Sequence, residues 1–308
     1  MSQTVASVVC IASWNADLVS RVPRPPQRGE TLMASGFAIS PGGKGSNAAV
    51  ACARQGARVA VIARIGSDYF GRMALDLWRR EDIDVRHVDV AEGQPSGVAQ
   101  IFVYDDGDNS IAVAPGAGAG LAAPQVDAAI PTLRAARVVM ASCEVPLEAT
   151  LAAFRHARAA GVTTLLNPAP ARPLTDELIA LCDVLTPNET EARALAGLPD
   201  GAAPERAASA LLARGASAVV VTLGAAGCLL VRPGVPALTL PGHAVNVADT
   251  IGAGDTFTGT LAAALARGET LETSLRWANA AAALSVTRRG AVGGMPTHAA
   301  VAVLLAEA

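Results

Sequence analysis

The chain has 308 residues, enough to bury a sizeable core in one large α/β domain or in two ordinary ones. Apolar residues make up 51% and aromatic residues only 3%, so the hydrophobic content is mostly alanine and valine, which suits close-packed helices and buried parallel strands better than an aromatic-rich binding surface. With a formal net charge of -3 there is no electrostatic footprint for nucleic acid, and an anionic ligand must be held by a local site.

Val- and Ile-rich runs alternate with stretches of helical spacing. A strand is predicted over 5–12. The proline-containing stretch 22–40 reads as extended. A helix is expected over 47–55, then a strand over 58–63 and a helix over 69–81. Residues 96–113 alternate around Asp105-Asp106-Gly107-Asp108 and read as a hairpin, which with 22–40 is expected to form a small sheet outside the main one. Residues 114–123 form a Gly/Ala loop. Strands follow at 137–141, 162–167, 183–186 and 218–223, with 215–231 reading as two strands and a turn. Helices follow at 147–160, 189–196, 204–213 and 255–266, and Gly56, Gly161, Gly197, Gly215 and Gly268 close several of them. This alternation predicts an α/β fold with a mostly parallel sheet covered by helices on both faces.

The five cysteines are scattered, form no CxxC pair and read as reduced core thiols. The first basic residue is Arg21, so no secretory signal is expected, and the chain is assigned to the cytoplasm. His87, His156, His243 and His298 show no metal-ligand spacing and read as surface or loop residues.

Two common phosphate-binding fingerprints fail. Before Lys44 the loop has Ala38 where a Walker A sequence needs glycine, and Gly45 follows the lysine instead of Ser or Thr. In Gly116-Ala117-Gly118-Ala119-Gly120-Leu121 the third dinucleotide-fold glycine is replaced by Leu121. The stronger signal is Asp249-Thr250-Ile251-Gly252-Ala253-Gly254-Asp255-Thr256-Phe257, followed by helix formers. Glycines ahead of a helix present consecutive N–H groups where the helix dipole is positive, so an anion can be held without a lysine. Asp255 in the first turn would stand beside a phosphoryl group, or else merely cap the helix. Two aspartates and two glycines within seven residues favour the first reading.

The stretch 249–257 resembles the C-terminal signature of ribokinase-like sugar kinases, and Gly42-Gly43-Lys44-Gly45-Ser46-Asn47-Ala48-Ala49 resembles their N-terminal one. Asn15-Ala16-Asp17 in the first loop, Asn167-Pro168-Ala169-Pro170-Ala171-Arg172, 186–192, Thr222-Leu223-Gly224-Ala225-Ala226-Gly227 and 287–291 continue the resemblance in the same order over the whole chain. It implies one ribokinase-like three-layer domain over 1–308, with a small β lid from about 15–40 and 96–113, and a homodimer formed through that lid. The implied reaction is phosphoryl transfer from ATP to a neutral sugar, D-ribose before fructose, tagatose, deoxyribose or a nucleoside; a sugar-binding sensor has no use for Asp255. Asp255 would be the base, with Gly252, Ala253 and Gly254 as anion hole, the preorganised stabilisation that phosphoryl transfer chiefly requires. Asn15, Asp17, Gly43, Lys44, Asn47 and Glu144 would hold the sugar. Asn188 would face the nucleotide phosphates, Glu191 would place Mg²⁺ through water, and Thr222, Gly224, Gly227 and Asn279 would line the nucleotide cleft.

Taken singly, Asn15, Asp17, Asn47 and Glu144 are ordinary loop caps and Lys44 an ordinary surface charge; their joint placement points to sugar hydroxyls. The resemblance also implies a K⁺ site at Asp249, Ile251, Ser285, Arg288, Gly290 and Gly294, with Gly294 standing where the family usually has serine. Trp14 replaces a smaller aliphatic residue beside Asn15. It is expected either to pack outward beneath the lid or to fill space that a larger substrate would need.

Overall fold

The computed structural model describes residues 6–307, so Val5, the first residue of the predicted opening strand, lies outside the described residues. The strands are β1 (Val8–Ile11), β2 (Asn15–Arg21), β3 (Gly36–Gly42), β4 (Val59–Gly66), β5 (Asp84–Ala91), β6 (Val98–Val103), β7 (Asn109–Ala114), β8 (Val138–Ser142), β9 (Thr163–Asn167), β10 (Val184–Leu185), β11 (Val219–Thr222), β12 (Cys228–Arg232) and β13 (Val235–Leu240). Among the described residues, nine form one sheet in the order β13-β12-β11-β10-β9-β8-β1-β4-β5. Only the pairs β11–β12 and β12–β13 are antiparallel.

The helices are α1 (Lys44–Arg54), α2 (Tyr69–Arg80), α3 (Ala123–Asp127), α4 (Ile130–Ala135), α5 (Leu147–Ala159), α6 (Asp176–Ala180), α7 (Glu189–Ala196), α8 (Pro204–Ala213), α9 (Ala253–Arg267), α10 (Leu271–Ser285), α11 (Ala291–Gly294) and α12 (His298–Glu307). They cover the sheet on both sides, and this is why its strands read as unbroken apolar runs. In β1, Val9 and Ile11 join Leu133 and Phe154 in one core, while Val8 and Cys10 join Ala48, Trp78 and Leu261 in the other. All five cysteines are buried and free. No helix among the described residues is long and apolar enough to cross a membrane.

The second sheet has the order β3-β2-β6-β7, with β2 and β6 parallel at its centre. It joins the two irregular segments as expected, with different limits. Residues 22–35 contribute no strand, because Pro23, Pro25 and Pro26 offer no N–H to a ladder. Asn15–Asp17, expected in a loop, instead begin β2. The run 114–123 contains a 3₁₀ turn at Gly116–Gly120.

Two helices of one core bring the ends of the sheet's strands under chemical control. α1 and α9 cross with their backbones in contact: a Cβ at Gly259 would run into the Ala48 carbonyl oxygen and lie 2.9 Å from the Ala51 Cβ. Ala48, Ala51 and Gly259 are therefore small for a steric reason, and the close crossing sets the N-terminal turns of the two helices side by side.

Candidate active site

The expected helix at 47–55 begins three residues earlier, at Lys44, because its cap comes from elsewhere in the chain. Gly43 precedes it with φ 90 and has no side chain to offer. A Cβ there would lie 2.9 Å from both the Ser13 carbonyl oxygen and the Trp14 Cα, so the position demands glycine on two counts. The first N–H groups of α1 still need acceptors. The Lys44 N–H donates to Glu144 Oε2 at 2.8 Å, the Gly45 N–H to Ser13 Oγ at 3.0 Å, and the Ser46 N–H to the Ser13 carbonyl at 3.0 Å. Ser13 Oγ in turn donates to Glu144 Oε2 at 2.7 Å. Ser13 was not legible as a site residue. Its signal is indirect: a helix starting behind a bare glycine must find its cap at a distance.

Asp255 lies in the first turn of α9, behind Gly252 with φ 77, and is only 6% exposed. Its Oδ2 accepts from Asn47 Nδ2 at 2.8 Å, so its carboxylate is turned to α1 and away from the role of a helix cap. Burial pushes its pKa up, opposed by Lys44 and by the Asn47 hydrogen bond and reinforced by Glu144. Lys44 is correspondingly held in its charged form, above all by Asp255, against the opposing effect of its own burial. It is no ordinary surface charge.

Asn15 and Asp17, two residues apart on β2, share one face of the second sheet. Burial, then Glu144 and Asp255, push Asp17 up to about 7, with Lys44 partly relieving it. Asp17, Glu144, Asp255 and Lys44 therefore form one electrostatic group, and the predicted sugar-side residues are brought together.

Lys44, Asn188, Glu191, Thr222, Gly254 and Asp255 line a cavity of about 200 Å³. It shares Thr222, Thr250, Ala253 and Gly254 with a cavity of about 590 Å³, lined also by Gly224, Gly227, Phe257 and Asn279, so the two adjoin at the Gly252–Gly254 turn. Asn188 and Glu191 cap α7 reciprocally: Asn188 Oδ1 accepts the Glu191 N–H at 2.8 Å and Glu191 Oε2 the Asn188 N–H at 2.9 Å. Burial raises the Glu191 pKa, and Lys44 opposes the shift. Asn279 Nδ2 donates to the Pro241 carbonyl at 2.6 Å, which ties α10 to the loop after β13. Asn167, at the end of β9, donates to Thr258 Oγ1 at 3.1 Å, while its buried Oδ1 has no donor among the described residues and borders the smaller cavity.

The residues of the expected cation site also meet. Asp249 Oδ1 accepts the Ile251 N–H at 3.0 Å and Oδ2 the Gly290 N–H at 2.8 Å, so this carboxylate braces the turn before α9 against the one before α11. A Cβ at Gly294 would run into the Ser285 carbonyl oxygen and lie 3.5 Å from that of Arg288.

Some side chains fall elsewhere than expected. Trp14 does not pack outward beneath the second sheet; it is buried in the core edge-on to Trp78. His243 stands in a loop as expected and lines the larger cavity, whereas His298 stacks on Trp277 at 4.4 Å at the start of α12. No group of three or more His, Cys, Asp or Glu poised to hold a metal ion occurs among the described residues.

The model of the pfkB family of carbohydrate kinases matches residues 5–298. The chain is 38% identical to ribokinase from Haemophilus influenzae, covering 95% of this chain and 96% of that one, and 36% identical to ribokinase from Bacillus subtilis, covering 97% and 99%. Arabidopsis thaliana ribokinase, solved with ribose and ATP, superposes with a TM-score of 0.92 at 31% identity, covering 98% of this chain and 99% of that one.

Proposed function

The chain belongs to the pfkB family of carbohydrate kinases, and from that premise we propose that it transfers the γ-phosphoryl group of ATP to a hydroxyl of D-ribose, giving ADP and D-ribose 5-phosphate. The observation that carries this reading is the buried Asp255, held by Asn47 beside Lys44, at the turn where the two cavities meet. Its raised pKa suits a group that takes a proton and then releases it. The sugar hydroxyl gives its proton to Asp255 as its oxygen bonds to the γ-phosphorus, and the bond from that phosphorus to the bridging oxygen breaks to leave ADP. The N–H groups of the Gly252–Gly254 turn face the charge that develops on the transferred group. Asn15, Asp17, Lys44, Asn47 and the free oxygen of Glu144 supply donors and acceptors for a small neutral polyol and no aromatic wall for a nucleobase. The larger cavity, with Thr222, Gly224, Gly227 and Asn279, takes the nucleotide.

Mg²⁺, when bound with the nucleotide, neutralises charge on the phosphates. Glu191 fits it: the residue borders the cavity beside Asn188 and Lys44 and offers a carboxylate oxygen. Glu191 would hold the ion through water, with Asn188 facing the nucleotide phosphates. For K⁺, the converging carbonyls of Ser285 and Arg288 beside Gly294 offer the hard oxygens such an ion takes, with Asp249, Ile251 and Gly290 completing the set. Gly294 adds no hydroxyl.

The second sheet acts as the lid of the single domain. Asp17, Ala99 and Val113 align across it, so the face carrying the sugar ligands continues into apolar side chains that exclude water on closure. An ADP-release assay over ribose, deoxyribose, fructose, tagatose and adenosine tests the proposal. The highest kcat/KM is expected for ribose; a tenfold preference for a hexose or for adenosine, about 1.4 kcal/mol of transition-state binding, would overturn ribose, and no turnover with any of them would overturn the kinase.

A further inference from the structure

The contact between Trp14 and Trp78 takes no part in the chemistry above, yet it joins the elements that carry it. Trp14 is 3% exposed and stands where the chain leaves β1, immediately before Asn15. Its ring meets Trp78 edge-on, with centroids 5.8 Å apart and planes at 75°. Trp78 Nε1 donates at 2.9 Å to the Oγ of Ser46, in the first turn of α1. On the main-chain side, a Cβ at Gly43 would lie 2.9 Å from the Trp14 Cα and 3.0 Å from the Asn15 nitrogen, so the residue before α1 rests on Trp14 and Asn15 directly. On the other side, a Cβ at Gly97 would lie 2.5 Å from the Trp14 carbonyl oxygen, and Gly97 accepts the Ala16 N–H at 2.9 Å. Trp14 is therefore wedged between the root of the second sheet and the turn that carries Lys44 and Asn47.

Packing alone leaves one polar group of this indole unmet. Its Nε1 is buried and has no acceptor among the described residues, whereas an aliphatic side chain would leave no orphan donor. What the large ring supplies is reach: it spans from the Asn15–Asp17 strand to Trp78, and through Trp78 to Ser46. We propose that Trp14 is a positioning residue for sugar phosphorylation, fixing Asn15 and Asp17 against the Lys44, Asn47 and Asp255 group. It acts on sugar placement and not on the nucleotide cavity, which Trp78, Ser46, Gly43 and Gly97 do not line. This rests on the kinase reading.

The test compares Trp14→Ile and Trp14→Phe with wild type, using whichever sugar of the panel the wild-type enzyme phosphorylates best. For Trp14→Ile the sugar KM is expected to rise about tenfold while the KM for ATP stays within about twofold, since a small displacement of positioning groups is felt only by the substrate they hold. Trp14→Phe, which keeps an aromatic edge for Trp78, is expected to raise the sugar KM only about threefold. A packing role alone would reduce the fraction of active molecules, lowering kcat with both KM values unchanged, and that result overturns the proposal. If Trp14→Ile does not fold, Trp14→Phe decides: the threefold rise supports positioning and an unchanged sugar KM overturns it. Wild-type enzyme inactive on every sugar would overturn the kinase reading and this proposal with it, whereas an active wild type with unchanged variant KM values removes the proposal alone.

Discussion

At the scale of single residues, four carboxylates, those of Asp255, Glu144, Glu191 and Asp17, share the one ammonium of Lys44. Asp255→Asn keeps the shape and the neighbour Asn47 but removes the proton acceptor, so kcat should fall by about 10²–10⁴-fold with sugar and ATP still bound. Calorimetric titration of the variant checks the binding, and retention of more than about half of wild-type kcat would remove Asp255 from the base role. Burial, with Glu144 and Asp255 beside it, pushes Asp17 from the ordinary 3.8 up to about 7. Ionised Asp17 accepts from a sugar hydroxyl, so kcat/KM for the sugar should climb as pH rises from 6 to 8, and Asp17→Asn should flatten that limb or move it down. The stability sign is opposite. A carboxylate raised in the folded state holds its proton there after the unfolded chain has released it, so ligand-free stability declines between about pH 4 and pH 7. Above pH 7 the Asp17→Asn variant should melt higher than wild type, with the advantage vanishing near pH 4; an advantage that persisted at pH 4 would be inconsistent with the shift. Asp255, Lys44, Asn47 and Asp17 were legible because their motifs are local. Ser13 was not, and Trp14 stood out only by its place beside Asn15, since a hydroxyl that caps a helix 31 residues later and an indole that reaches Ser46 through Trp78 leave no mark in the spacing.

At the scale of elements, strands of the main sheet were readable from composition because burial on both faces leaves only apolar choices. Helix starts were less so. α1 begins at Lys44 because Glu144 and Ser13 supply acceptors that no local pattern announces, whereas α2 begins where Asp68 caps its own helix, accepting the Gly71 N–H at 2.8 Å. The crossing of α1 and α9 is the element-scale contact that sets Asn47 against Asp255. Gly259→Ala would push the Ala48 carbonyl away and separate Asn47 from Asp255, so it should cost about 1–3 kcal/mol in urea denaturation and lower kcat more than either KM. A stable variant with full kcat would show that the crossing does not set that pair. The turn before α11 makes a further demand. A monovalent cation at the Ser285 and Arg288 carbonyls would hold the Gly252–Gly254 turn through Asp249, so K⁺ should raise kcat or lower the sugar KM relative to K⁺-free Tris. The same activity in both buffers would mean that Gly294 leaves the site too poor in ligands to matter.

At the scale of the whole molecule, the second sheet presents an unsolved surface. Its edge strands, β3 and β7, expose Phe37 and Ile39 on one and Ile111 and Val113 on the other, with Phe37 64% and Ile39 45% exposed. An edge strand with free N–H and C=O groups and large apolar side chains invites another copy, and isolated chains usually blunt such edges with charge or proline. The composition makes this more pointed, since a chain with only 3% aromatic residues places one of its few phenylalanines there. Phe37 pairs with Ser20 and Ile39 with Leu18, so both lie on the face opposite Asp17, whereas Ile111 and Val113 lie on the Asp17 face; two copies meeting through Phe37 and Ile39 would stiffen the sheet from behind Asn15 and Asp17, which would link assembly to sugar binding. Phe37→Glu combined with Ile39→Lys removes the apolar edge while leaving the main cores untouched, as both side chains lie outside them. Sedimentation should show wild type as a dimer and the double variant as a monomer with an unaltered circular dichroism spectrum. The monomer should bind sugar more weakly and ATP as before, because the nucleotide cavity lies on the other side of Asp255. Wild type that sediments as a monomer at micromolar concentration, or a double variant that stays dimeric, would reject this surface as the interface.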